Sequence, residues 1–330
     1  MISRRQFSQV LAAAGLATPL VTATSTATAT AATAPAWGPI KQVRAGLLNI
    51  GYAELGPADG PVTILLHGWP YDIHSYVDVA PALAAKGHRV LVPYLRGYGS
   101  TRFLHAHTMR NGQQSAIAAD VIAFMDALKI RKATIAGFDW GARTACITAA
   151  LWPERVKALV SVSGYLIVNL KANQEPLSPQ AELGWWYQYY FATERGVKGY
   201  TQNAYEFNKL IWKIASPKWD FDEKTYGQSA TAWNNPDHVA IVIHNYRWRL
   251  QLAKGEHRYD ALERKLQAKP VISVPTITIA SDFDGPNADG AGYRKQFSGP
   301  YEHRILKDIG HNVPQEAPEA FARAVLDVGR

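Results

Sequence analysis

The segment from Ala133 to Thr144 constrains this chain more than any other. A short apolar run, Ala133 to Ala136, leads into Gly137, Phe138, Asp139, Trp140 and Gly141, and then into residues that favour a helix. A chain that turns this tightly from strand to helix needs glycine on both sides of the turning residue, because a Cβ there would strike the neighbouring backbone. The central Asp139 is thereby held out at the end of a sheet, beside a helix N-terminus whose free amides favour negative charge. An aspartate is ionised at neutral pH, its ordinary pKa being about 3.9. It can attack an electrophilic sp3 carbon and form an ester, with a base needed only afterwards to activate the hydrolytic water. The other reading is an aspartate that only caps a helix. Its partners decide between the two.

The pattern on either side is that of a parallel sheet. Strand-like runs cover Val43 to Tyr52, Val62 to Leu66, His88 to Pro93, Lys132 to Gly137 and Val156 to Val162. A turn is expected at Gly56 to Gly60, and helical spacing at Val79 to Lys86, Ala116 to Leu128 and Ala142 to Leu151. Continuous apolar strands alternating with helices predict an α/β fold, a mostly parallel sheet covered on both faces. The alternation stops near Gly164 and resumes at Val274 to Ile279 and His303 to Leu306. Residues 165–270 between them are helical in spacing and hold six of the ten tryptophans. The expected organisation is therefore core at 35–164, an inserted helical lid at 165–270, and core again at 271–330. The insert enters at the carboxyl end of a strand, where a lid over a site belongs.

Residues 1–34 read as an address. Arg4 and Arg5 precede a weakly apolar stretch, Val10 to Val21, and a Thr/Ala-rich segment with A-x-A sites at Ala29 to Ala31 and Ala32 to Ala34. This resembles a twin-arginine (Tat) signal peptide and implies transient contact with that export machinery and a periplasmic or secreted product. The threonines interrupt the apolar stretch well short of the ~20 residues a membrane span needs. The net charge of +8 carries no long Lys/Arg run, which gives a nucleic-acid partner no support. Cys146 is the sole cysteine, so no intrachain disulfide can form. No metal-ligand cluster, P-loop or dinucleotide fingerprint occurs, and no cofactor is expected.

Three further stretches supply partners for Asp139. His311 lies in Ile309-Gly310-His311-Asn312, after the last strand. Two carboxylates, Asp282 and Asp284, follow the preceding strand, and either could orient the imidazole. His67-Gly68-Trp69-Pro70 ends the strand at Val62 to Leu66. Arg96-Gly97-Tyr98-Gly99-Ser100 reads as a structural turn.

With G-x-D-W-G, H-G-W-P and a late G-H in hand, the chain resembles the α/β-hydrolase superfamily over about residues 45–330, in the branch of epoxide hydrolases and haloalkane or haloacetate dehalogenases. The resemblance implies a triad in the order Asp139, Asp284, His311. Asp284 is preferred because relatives carry G-x-x-D there and Ser281 stands at the glycine position; Asp282 stays open. It also implies an oxyanion hole from the backbone N–H groups of Trp69 and Trp140, each donor worth about 2.7–4 kcal/mol in such sites. A non-catalytic binding protein on the same scaffold would have no need of all three triad members.

The two branches differ in what leaves. An epoxide expels an alkoxide, whose conjugate acid is about as weak as water (pKa ~15.7), and so wants a proton donor such as a phenol of pKa about 10. A halide wants only hydrogen-bond donors. Trp186-Tyr187-Gln188-Tyr189-Tyr190-Phe191 looks like the Y-Q-x-Y-F segment of epoxide hydrolases, and Asn245-Tyr246-Arg247-Trp248 like their second-tyrosine segment. The resemblance thus makes Tyr187 and Tyr246 the acids, with the nine tyrosines between residues 165 and 270 leaving core packing as the other reading of each. Haloacetate dehalogenases usually have His-Trp where Tyr187-Gln188 stands and Arg at Trp140, although Arg143 matches their second carboxylate-binding arginine. Haloalkane dehalogenases typically have Asn where this chain has Trp69. The expected function is an epoxide hydrolase forming a vicinal diol.

Overall fold

The computed structural model describes residues 38–330; the export signal expected at residues 1–34 lies outside them. The expected strand from Val43 to Tyr52 is divided at Gly46, whose φ of 57° turns the chain back on itself. The result is an antiparallel hairpin of β1 (Lys41–Ala45) and β2 (Leu48–Leu55), with Ala45 opposite Leu48. After it come β3 (Val62–Leu66), β4 (Arg89–Pro93), a short β5 (Arg102–Phe103), β6 (Ala133–Gly137), β7 (Val156–Val162), β8 (Thr276–Ala280) and β9 (Tyr301–Ile305). Their order is β1-β2-β4-β3-β6-β7-β8-β9, with β5 on β2. Pairing is antiparallel on the β2 side and parallel from β4 to β9.

Every residue of β6 and β8 is buried, which a strand achieves only when both faces of its sheet are covered. Helices α1 (Val79–Ala84), α2 (Gln114–Ala127) and α3 (Trp140–Leu151) do part of this. The register sets Leu66 beside Gly137 and Gly137 beside Ser161, so the chain leaves β3, β6 and β7 at one level. The turns that follow these strands therefore share one end of the sheet, the place where open α/β sheets bind ligands.

Between β7 and β8 the chain forms α4 (Pro179–Gly184), α5 (Trp186–Ala192), α6 (Glu194–Ala215), α7 (Glu223–Ala230), α8 (His238–Arg249) and α9 (Asp260–Gln267). Ser178, Thr193 and Asp222 cap α4, α6 and α7 through their side chains. The aromatic residues of this stretch pack on the core turns. Trp212 stacks on Tyr71 at 4.8 Å and on Trp219 at 5.3 Å, and its indole donates to the Pro70 carbonyl at 3.0 Å. After β9 the chain closes with α10 (Val313–Glu316) and α11 (Pro318–Asp327).

The Arg96 turn is anchored from below. Its guanidinium is buried and bidentate to Asp120, at 2.7 and 2.8 Å, and also donates to the Asn111 and Ala116 carbonyls. Planar fork geometry of this kind fixes orientation as well as charge.

Candidate active site

At the elbow Asp139 has φ 52° and ψ −124°, a conformation that costs a non-glycine residue ~1–3 kcal/mol and is held only by its surroundings. Those surroundings leave no room for side chains. A Cβ on Gly141 would lie 1.8 Å from the Leu66 carbonyl oxygen, and one on Gly68 2.3 Å from Asp139 Oδ1. The close approach at Gly68 is what lets the next residue act: the Trp69 N–H donates to Asp139 Oδ1 at 2.8 Å.

Buried hydrogen bonds fix the turn that carries Trp69. His67 donates from Nδ1 to the Gly68 carbonyl at 3.1 Å and accepts the Leu95 N–H on Nε2 at 3.1 Å, which requires the neutral ring. The Trp69 indole donates to Tyr200 Oη at 2.9 Å, Tyr200 to His238 Nε2 at 2.9 Å, and His238 Nδ1–H to the Gly97 carbonyl at 3.0 Å. Burial lowers the pKa of His67 to about 4 and that of His238 to about 3. Both folded values lie below the ordinary imidazole value of about 6.5, so the unfolded chain takes up these protons first. The contribution of these two rings to stability is expected to be flat above pH 6.5 and to fall as pH drops from there toward 4, by an amount on the order of 3 kcal/mol for each ring. Thermal melts from pH 8 to pH 4 test this, and a midpoint that holds steady to pH 4 would refute it.

His311 faces Asp139. Its Nε2 is 3.3 Å from Asp139 Oδ2, and its ring lies on Phe283 with centroids 4.1 Å apart. Burial works against the charged form of Asp139, but the hydrogen bond and charge of His311, then Arg143 and the Trp140 backbone N–H, hold its pKa below the usual carboxylate value. Glu316 frames the loop. Its carboxylate accepts from the N–H groups of Gly310 and Asn312, at 2.7 and 2.9 Å, and from Ser216 Oγ at 2.6 Å. Ser216 in turn accepts the His311 N–H at 2.9 Å. The sequence reading missed Glu316, and the one signal was an acidic residue a turn beyond the histidine.

The two candidate acids separate cleanly. Asp282 is exposed and salt-bridged to Lys218 at 2.9 Å. Asp284 lines the cavity with Asp139 and His311, and burial raises its pKa against the pull of the Ser281 N–H and the His311 charge. The direct Asp284–His311 bond implied for a triad is not made, however. Asp284 Oδ2 instead accepts the Ser281 N–H at 2.9 Å, and His311 Nδ1 is buried without a partner among the described residues.

Tyr187 on α5 and Tyr246 on α8 stand edge to face, 5.3 Å apart, and each packs on Trp69, at 5.0 and 5.2 Å. Both line the cavity that Asp139 lines. Burial and the negative charge of Asp139 raise the pKa of both phenols, with Tyr187 adding to the shift of Tyr246, so both are protonated at neutral pH.

The cavity has two lobes that meet at Asp139, Tyr187 and His311. One, about 260 Å³, is walled by Trp69, Ile211, Ile214 and Ala215; the other, about 510 Å³, by Arg143, Tyr246, Arg249 and Asp284. Among the described residues no three His, Cys, Asp or Glu side chains converge as a metal site, and no helix is long and apolar enough to cross a membrane.

A family model described as the alpha/beta hydrolase fold matches residues 61–201. Epoxide hydrolase B of Mycobacterium tuberculosis is 32% identical over 153 residues, a match spanning 42% of this chain and 42% of that relative's length. Epoxide hydrolase A of the same organism is 26% identical over 313 residues, 85% of this chain and 94% of that one. A crystal structure from Klebsiella pneumoniae, provisionally described as an epoxide hydrolase, is 61% identical with a TM-score of 0.87 and covers 88% of this chain and 97% of its own.

Proposed function

The chain belongs to the α/β-hydrolase superfamily, in its epoxide hydrolase-like branch, and from that premise we propose that it is an epoxide hydrolase working through an aspartyl ester. The observation that carries the reading is the convergence of two protonated phenols, Tyr187 and Tyr246, on the cavity of a carboxylate held ionised. Asp139 Oδ1 is engaged by the Trp69 N–H, and Oδ2, which has only the longer 3.3 Å contact with His311 Nε2, attacks an epoxide carbon. The carbon–oxygen bond of the ring breaks, and the oxygen takes a proton from a tyrosine. His311 then removes a proton from water, and the hydroxide adds to the ester carbonyl. Negative charge builds on Oδ1, where the Trp69 and Trp140 N–H groups receive it. Collapse releases the diol and restores the carboxylate, and the proton on His311 returns to the tyrosinate by way of solvent. Asp284 lies where its charge would steady the imidazolium.

A dehalogenase using the same Asp139 is the second reading, and the Trp140 indole N–H, buried and without a partner among the described residues, is what favours it. A halide wants several such donors, and the Trp69 indole is already engaged by Tyr200. Product analysis on two panels, aryl and aliphatic epoxides against haloalkanes and haloacetates, tests the choice. Diol without halide is the expected result. Halide release with no diol from any epoxide would move the protein to the dehalogenases.

A further inference from the structure

Trp69 touches every group that the ring-opening step uses. Its backbone N–H donates to Asp139 Oδ1, and its indole packs on the rings of Tyr187 and Tyr246, with centroids 5.0 and 5.2 Å away. Among the described residues no carbonyl or carboxylate holds either phenol by a hydrogen bond, so ring packing is what aims the two hydroxyls. The indole has one polar atom to fix its own orientation, Nε1, and that atom is bonded to Tyr200 of α6 at 2.9 Å.

The direction of the relay behind it is fixed. An indole N–H only donates, so Tyr200 Oη accepts there and must place its own proton elsewhere. His238 Nε2 takes it at 2.9 Å, which leaves Nδ1–H to donate to the Gly97 carbonyl at 3.0 Å. Tyr200 and His238 are fully buried and Trp69 is 2% exposed, so water does not replace a lost partner. The relay also crosses between lid and core. Tyr200 stands on α6, and His238 opens α8, the helix that carries Tyr246 about two turns on. Gly97 belongs to the turn that the Arg96–Asp120 pair anchors. A Cβ on Gly97 would lie 3.0 Å from Ile241 of α8, so that helix and turn are in close contact. Ring contacts hold the same group together: Phe191 lies 5.0 Å from Tyr200, 5.8 Å from Trp69 and 5.5 Å from Tyr246.

We propose that Tyr200 and His238 are positioning residues for the proton-donating step, holding the Trp69 indole in the orientation that aims Tyr187 and Tyr246 at the epoxide oxygen. The inference rests on the epoxide hydrolase reading and adds to it two residues that do not line the cavity. A break in the relay frees the indole to swing, and both phenols move with it. A misplacement of about 1 Å costs on the order of 10²-fold in rate where reacting groups must be aligned. Ester hydrolysis needs the backbone N–H of Trp69 rather than its side chain. The buried His67 bonds to Gly68 and Leu95 hold that backbone independently of the relay. The two chemical steps therefore respond differently.

Rapid quench with styrene oxide, read by intact mass, gives the rate of ring opening and the ratio of ester to free enzyme during turnover. That ratio reports opening over hydrolysis. Tyr200→Phe keeps the ring and removes both bonds of its hydroxyl, and ring opening and the ester ratio are each expected to fall ~10–10²-fold. A general loosening of the fold would slow both steps and leave the ratio unchanged. Trp69→Phe cuts the same link from the other side while keeping its backbone N–H, so adding Tyr200→Phe to it should cost no more than about 2-fold. His238→Phe removes the acceptor at the far end, should lower the ratio in the same way, and carries the test if Tyr200→Phe does not fold. Wild-type ring opening in folded Tyr200→Phe, an unchanged ester ratio, or a full further loss on the Trp69→Phe background would each overturn the proposal. Failure of the underlying reading looks different: the wild-type protein would form neither ester nor diol from any epoxide, and the proposal would fall with it.

Discussion

Asp139→Ala is expected to lose diol formation by at least ~10⁴-fold, because it removes the carboxylate that the elbow holds against the Trp69 N–H and His311. Melting curves should meanwhile show an intact fold, since the substitution removes a buried charge. His311→Gln should fail differently. Ring opening needs only the carboxylate and the phenols, so this variant should react once and stop, with steady turnover down ~10²–10⁴-fold for want of a base. Intact-mass measurement after a single addition of substrate should find the protein heavier by one epoxide. Full turnover in Asp139→Ala would end the mechanism outright, and an unmodified mass in a folded, inactive His311→Gln would remove His311 from its assigned step.

The second large effect belongs to the tyrosines. Each of Tyr187→Phe and Tyr246→Phe keeps the ring that packs on Trp69 and removes only the proton donor. Either alone leaves one phenol, so losses of ~10²-fold are expected, against at least ~10³-fold for the pair, where an unprotonated alkoxide must leave. Since both phenols titrate above their ordinary value, single-turnover ring opening should show no alkaline decline attributable to them below pH 10. A double variant that still forms diol at the wild-type rate would show that these side chains are merely core.

Much of this site was legible because its parts are local in sequence. The elbow announces itself through Gly137 and Gly141, each barred from carrying a side chain by contacts within a few residues or with the strand beside it. The H-G-W-P turn and the tyrosines could be read for the same reason, as short motifs with fixed neighbours. What stayed hidden depends on tertiary packing. The hairpin at Gly46 looked like one strand because strand-forming residues flank the glycine on both sides, and only the pairing of β1 with β2 shows where it folds back. Asp282 and Asp284 sit two residues apart, and the preference for Asp284 rested on resemblance alone; what separates them physically is tertiary, since Lys218 draws one to solvent and Ser281 turns the other inward. Nothing in the sequence linked Tyr200 to His238, which meet behind the Trp69 indole only because α6 and α8 pack together.

The six helices that carry Tyr187, Tyr246 and Arg249 are spliced between two strands, β7 and β8, that lie side by side. Closing a loop costs entropy that grows only with the logarithm of its length, so doubling one adds about 0.6 kcal/mol. An excursion of more than a hundred residues can therefore lengthen, shorten or exchange helices at little cost to the sheet beneath it. Lineages that inherit this scaffold can try new substrate-facing surfaces while the carboxylate, its amide donor and its histidine stay where the strands put them. Heritable variation in what is bound is thus separated, by connectivity alone, from what does the bond-breaking.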